Sequence, residues 1–270
     1  MTTDHPDNHQ PGPVGGSLRT PATTHAVGPQ VIIDGRMPVQ VPRPQDPYYR
    51  CVGLLKGFTA EGDVHEGTGT LIAVGSGYGI LTCAHVVYDD ATASPVERIE
   101  FIPAKTLGHE PYGVISAEDD AIRVPDTYVG PPTTGTRHDY AVVRVHPDQV
   151  PEAVRPLPKM RTVPVGELVQ VQVTGYPDVP SPMQNPAMYL SRGDVVNDPT
   201  LTGLLRYKAS TLPGSSGSGV CRLNLDREPV PDLAHITAVH VDGDREHHRY
   251  NWGVYLDDQV IGWVNRQVNG

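Results

Sequence analysis

Apolar and polar positions alternate in short runs from Tyr49 to Leu256, each run closed by glycine, proline, asparagine or aspartate. That pattern predicts strands at Cys51–Phe58, Gly69–Val74, Gly79–Cys83, Arg98–Ile102, Gly113–Ala117 and Tyr140–Val145. A second series is expected at Leu168–Thr174, Ala187–Arg192, Leu204–Ser210, Gly219–Leu223, Ile236–Val241 and Trp252–Leu256. Short strands at this spacing point to an all-β sandwich or a pair of barrels. The period changes at the end: Asp257-Asp258 can cap a helix whose apolar Val260, Ile261 and Val264 fall at helical spacing.

Before this region the pattern fails. Residues 1–47 are rich in proline, glycine, threonine and polar side chains, too poor in apolar surface to offset their ordering entropy. They are read as a largely disordered tail, with Met1–Gln30 disordered and Val31-Ile-Ile-Asp34 a short strand docking on the domain. The tail is passive, a removable leader, or a site for a regulatory partner. Residues 48–270 form the folded unit: a first barrel over about 48–150, a second over about 160–256 and a helix over about 257–268.

Composition narrows the function. With 28 glycines and 28 prolines among 270 residues, a helical bundle is excluded. No apolar run approaches the about 18–20 residues of a membrane helix, so no membrane association is expected. The net charge is −10 and no Lys/Arg cluster stands out, which argues against a nucleic-acid partner. Three cysteines, Cys51, Cys83 and Cys221, make neither a disulfide framework nor a zinc pattern, and are read as free, buried thiols. The first residues lack the basic start and apolar stretch of a secretory signal. The expected location is cytoplasmic if Met1 is the native start, and secreted if the chain was trimmed.

Three segments carry chemistry. Leu81-Thr-Cys-Ala-His85-Val-Val ends a strand in a histidine. His138-Asp139-Tyr-Ala-Val-Val opens a strand with an aspartate, and Thr211-Leu-Pro-Gly214-Ser-Ser216-Gly-Ser-Gly219 is a glycine-punctuated serine loop. Each alone is commonplace: a structural histidine, a turn aspartate, a polar loop. Their conjunction in this order points to a triad of His85, Asp139 and Ser216. A serine hydroxyl is a weak nucleophile until an imidazole takes its proton, and the imidazole needs a carboxylate to fix its tautomer. The Gly-x-Ser-Gly turn can aim the backbone N–H groups of Gly214 and Ser216 at a developing oxyanion, where one donor is worth about 3–4 kcal/mol. Ser215 and Ser218 lack that placement, and Asp119-Asp120 opens a strand cut short by Pro125. The other histidines, His247-His248 included, lack metal-ligand spacing, and the triad needs no cofactor.

At these residues the chain resembles the chymotrypsin-like serine proteases, most closely their bacterial glutamyl endopeptidase branch. Thr82-Cys-Ala-His85-Val-Val is similar to the family's Thr-x-x-His-Val-Val segment, and Asp139-Tyr-Ala-Val-Val to its Asp-x-Ala-Ile-Val strand. Thr174-Gly-Tyr-Pro177 resembles a turn of the second barrel. Ser210-Thr-Leu-Pro-Gly-Ser-Ser-Gly-Ser218 resembles the serine loop, with Pro213 replacing its first glycine. The resemblance implies two six-stranded antiparallel β-barrels with the active site between them, a C-terminal helix, and a peptide or protein substrate. It also implies that His240, on the strand after the nucleophile, and Thr211 bind an acidic side chain, as an imidazole and a hydroxyl donor would. A fold used only to bind a peptide or partner, and a latent protease needing activation, are the alternatives.

Overall fold

The computed structural model describes residues 24–26, 31–128, 136–179, 186–198, 200–223 and 231–270. Its strands fall into two large antiparallel sheets, one from each half of the chain. The first is built from β1 (Val52–Phe58), β2 (Val64–Val74), β3 (Gly77–Thr82), β4 (Arg98–Pro103), β5 (Ile115–Glu118), β6 (Ile122–Arg123) and β7 (Ala141–Val145). Hydrogen bonding runs β6-β7-β3-β2-β1-β4-β5. The two ends approach each other, with the Gln149 amide donating to Ser116 O at 2.9 Å, so this barrel is nearly closed.

The second sheet contains β8 (Gln170–Gly175), β9 (Tyr189–Val196), β10 (Leu204–Tyr207), β11 (Gly219–Leu223), β12 (Pro231–Gly243) and β13 (Asn251–Tyr255). Its order is β8-β11-β12-β13-β10-β9, and pairing of β9 back onto β8 closes a six-stranded barrel. Alternation explains both interiors. Leu55, Leu71, Ile80, Ile99, Phe101 and Val143 fill the first, and Val171, Val173, Leu205, Val220 and Ala238 the second, all buried.

Two helices matter here: α1 (Ala84–Val87), a single turn after β3, and α2 (Asp258–Asn269). The Asp257 carboxylate accepts from Val260 N at 2.9 Å and caps α2, a contact worth about 1 kcal/mol. Val260 and Val264 are buried, and Trp263 meets Tyr140 edge-on at 5.1 Å, so the end of the chain returns to the first barrel. Among the described residues no helix is long and apolar enough to cross a membrane.

All twelve expected strands are present. The largest extensions beyond the patterns are in β2, which begins at Val64, and β12, which spans Pro231–Gly243. The stretch 31–47 departs from the tail expectation, because Val31, Ile33 and Val41 are buried. Val31 exchanges both backbone hydrogen bonds with Thr211, and Val39–Gln40 pairs with Tyr189–Leu190. Thr24–Ala26, expected to be disordered, pairs in parallel with Val64–Glu66. The rest of Met1–Gln30 lies outside the described residues. Among the described residues Cys51, Cys83 and Cys221 form no disulfide; the first two are buried and Cys221 is half-buried.

Candidate active site

Pairing of β3 with β7 sets Thr82 opposite Ala141, and continuing that register carries Asp139 to the end of the strand where His85 begins its helical turn. Asp139 is buried, and His85 engages both its oxygens. The His85 backbone N–H donates to Oδ1 at 3.0 Å, and Nδ1 lies 2.6 Å from Oδ2. Burial pushes the imidazole pKa down, but the Asp139 carboxylate and the neighbouring Cys83 outweigh it and hold His85 well above its ordinary value. The carboxylate therefore fixes an Nδ1–H tautomer and stabilises the imidazolium. Nε2, the proton-accepting nitrogen, faces Cys83 Sγ at 3.6 Å.

Three clamps hold the serine loop. Thr68 N donates to Ser216 O at 2.8 Å, Gly217 N to His240 O at 2.9 Å, and Asp178 N to Pro213 O at 2.7 Å. The Thr68 hydroxyl donates to Gly214 O at 2.8 Å while accepting from Tyr176 N at 2.9 Å, and the Thr82 hydroxyl donates to Thr68 O at 2.8 Å. Two glycines are required. Gly214 has φ +86°, and a Cβ there would lie 2.5 Å from Tyr176 O. Gly217 has φ +85°, and its Cβ would lie 2.1 Å from Thr68 O and 3.2 Å from Cys83 N, so this turn touches the segment carrying His85.

Among the described residues, no acceptor is hydrogen-bonded to the N–H of Gly214 or of Ser216. Those are the two donors an oxyanion hole requires. The Ser216 hydroxyl is buried and has no hydrogen-bond partner among the described residues. The structure thus joins His85 to Asp139 directly and brings Gly217, next to Ser216, against Cys83, two residues before His85; among the described residues no hydrogen bond links Ser216 Oγ to His85. Asp119 and Asp120 sit away from this centre on an exposed turn.

His240 and Thr211 are both buried. The His240 Nδ1 lies 2.8 Å from the Tyr207 hydroxyl, across β10 and β12. Burial, reinforced by the positive charge on His85, pushes His240 down to about 3. Among the described residues the Thr211 hydroxyl has no hydrogen-bond partner, nor has Asn251 Oδ1. Asn251 Nδ2 donates to Ala209 O at 2.7 Å and reaches Val31 O at 3.4 Å, so Val31 links Thr211 to Asn251. Asp242 does not stand free near this pocket: Gly243 N donates to it at 2.8 Å and Arg245 pairs with it. Among the described residues, Cys83, His85 and Asp139 form the one cluster with metal-type donors, all within 4.8 Å of one another.

Sequence reading found the residues with chemistry and missed those that hold them. Tyr207 lies inside an expected strand, Leu204–Ser210, whose alternation explains it as packing, and Thr68 falls just before the expected strand Gly69–Val74. The spacing of Tyr207 four residues before Thr211, and of Thr68 two residues after Glu66, carries no signal of its own.

A family model for the trypsin-like peptidase domain matches residues 67–226, more than half of the chain. The chain belongs to that family: it has a chymotrypsin-like serine protease fold and is a peptidase. No curated protein matches the sequence significantly. A solved Glu endopeptidase in complex with MPD is 22% identical with a TM-score of 0.68, covering 87% of this chain and 98% of that one. The protease Anisep from Arthrobacter nicotinovorans is 17% identical with a TM-score of 0.65, over 89% and 99%. An inactivated protease paralogue of the scabies mite is 13% identical with a TM-score of 0.57, over 86% and 98%. These likenesses share the fold, which both active and inactivated proteins use.

Proposed function

We propose that this protein is a serine endopeptidase that works through an acyl-enzyme and prefers glutamate or aspartate on the acyl side of the cleaved bond. Ser216 Oγ attacks the peptide carbonyl while His85 Nε2 takes its proton. Asp139 stabilises the imidazolium, and the N–H groups of Gly214 and Ser216 receive the oxyanion. His85 then protonates the leaving amine, and water repeats the sequence on the acyl group. The observation that carries this reading is the His85–Asp139 pair at 2.6 Å beside a clamped loop with two unpaired N–H donors. His240 and Thr211 supply the side-chain donors of the pocket. The test is a peptide library varied on the acyl side, read by mass spectrometry with Ser216→Ala as control. Cleavage after Glu or Asp that vanishes in the variant is expected. Cleavage that persists in the variant contradicts the assignment, and turnover by the purified protein excludes a pure binding module.

A second reading, latency, is favoured by the segment before Val31. Thr24–Ala26 lies against Val64–Glu66, two residues before the Thr68 that holds Ser216 O. A tail strand there occupies backbone beside the nucleophile, and trimming ahead of Val31 would release it.

A further inference from the structure

The triad chemistry leaves one neighbour of His85 without a role. Asp139 Oδ2 lies 2.6 Å from Nδ1, so that nitrogen carries the ring proton and Nε2 presents its lone pair. The Cys83 sulfur lies 3.6 Å from Nε2, and among the described residues no other side chain is hydrogen-bonded to that nitrogen. Cys83 keeps an extended backbone at the junction of β3 and α1, and His85 follows two residues on, inside the helical turn. The change from strand to helix brings the two side chains together.

A cysteine sulfur and an imidazole nitrogen are the donors that zinc prefers. Zinc bonds of about 2.3 Å to sulfur and about 2.0 Å to nitrogen, set at a tetrahedral angle, separate the two ligand atoms by about 3.5 Å. The 3.6 Å between Sγ and Nε2 therefore suits one ion held by both. Asp139 supplies the carboxylate that commonly orients a zinc-bound histidine through its other nitrogen. Its two oxygens already face the His85 backbone N–H and Nδ1, so it acts behind the ring rather than as a third ligand. His85 is half-buried and Cys83 is buried, so solvent reaches the pair from the His85 side.

We propose that Cys83 and His85 form a zinc-binding site whose occupation switches the peptidase off. On binding, the S–H bond breaks, a Zn–S bond forms and the proton leaves to solvent, while Nε2 gives its lone pair to the ion. No oxidation state changes. A ring whose lone pair is on a metal cannot take the Ser216 proton. The loss of activity rests on His85 being the base of the proposed peptidase, whereas binding of the ion does not.

The test titrates Co²⁺, a spectroscopic stand-in for zinc, into full-length protein kept reduced by a phosphine and freed of metal. A near-ultraviolet sulfur-to-cobalt charge-transfer band saturating at one ion per chain is expected, displaced by Zn²⁺, lost in Cys83→Ala and kept in Cys221→Ser. In the unmodified protein Zn²⁺ should also shift the Nε2 resonance of His85 in imidazole nitrogen NMR, which decides the matter if the variant does not fold. No band and no shift overturn the proposal. With a cleaved peptide, Zn²⁺ should inhibit, and the inhibition constant should rise at least tenfold in Cys83→Ala. An unchanged constant, or binding that leaves cleavage intact, overturns the switch. If no peptide is cleaved, fluorophosphonate labelling of Ser216 replaces turnover, and Zn²⁺ should block it. No labelling with or without Zn²⁺ contradicts the peptidase reading and the switch with it, while the cobalt spectrum still decides the metal site.

Discussion

His85, half-buried, and His240, buried, are two imidazoles, one from each barrel, whose surroundings push them in opposite directions. His85 has a buried carboxylate on Nδ1 at 2.6 Å and is held well above its ordinary value. His240 has a neutral hydroxyl on Nδ1 at 2.8 Å and is pushed down to about 3. Burial acts downward on both; at His85 the Asp139 carboxylate and Cys83 overcome it, whereas at His240 the charge on His85 adds to it. A carboxylate makes a base whose cation is stabilised during reaction.

The largest expected break in this comparison is Ser216→Ala, which leaves His85 with no proton to accept. It should lower kcat by about 10⁶-fold, measured by single-turnover peptide cleavage. Asp139→Asn comes next. It should lower kcat by about 10⁴-fold and, by removing the group that raises His85, shift the histidine's NMR titration toward lower pH. Unchanged titration would separate Asp139 from His85. In the unmodified protein the rate depends on neutral His85, so kcat/KM should rise with pH along a limb centred above 6.5, the ordinary histidine value. A limb at or below that value would contradict the raised pKa.

The smaller effects concern stability and the tail. A histidine whose folded pKa is raised contributes stability present below its unfolded value and lost as pH climbs through the folded one. For His85 that loss begins above about pH 6.5. For His240 the sign reverses: the unfolded chain binds the proton first, so stability is lost as pH falls from about 6.5 toward about 3. Melting curves across pH should therefore be flatter on the acid side in His240→Leu than in the unmodified protein. An unchanged acid slope would mean that His240 is not held neutral. Removing the residues before Val31 should raise the cleavage rate through release of Thr24–Ala26 from β2, whereas equal rates would reject latency.

The same contrast explains what the sequence made legible. Strand positions follow from alternation, and His85, Asp139 and Ser216 stand in short segments whose glycines and strand ends mark them. The start of β2 was hidden because His65, Glu66 and Gly67 interrupt its apolar run. The docking of Val31 was partly visible in Val31-Ile-Ile, but its partner Thr211 is 180 residues away and only the folded sheet brings them together. Tyr207 could not be found by pattern, since a tyrosine in a strand is ordinary core. Its meaning comes from the one hydrogen bond it makes across to β12.

The central claim is that Ser216 is a nucleophile activated by His85. A fluorophosphonate probe on the purified protein, followed by peptide mass spectrometry, tests it most directly. One adduct is expected, on the peptide containing Ser216, absent from Ser216→Ala and strongly reduced in Asp139→Asn. An adduct that persists in Ser216→Ala, or its complete absence from both the full-length and the tail-trimmed protein, would contradict the claim.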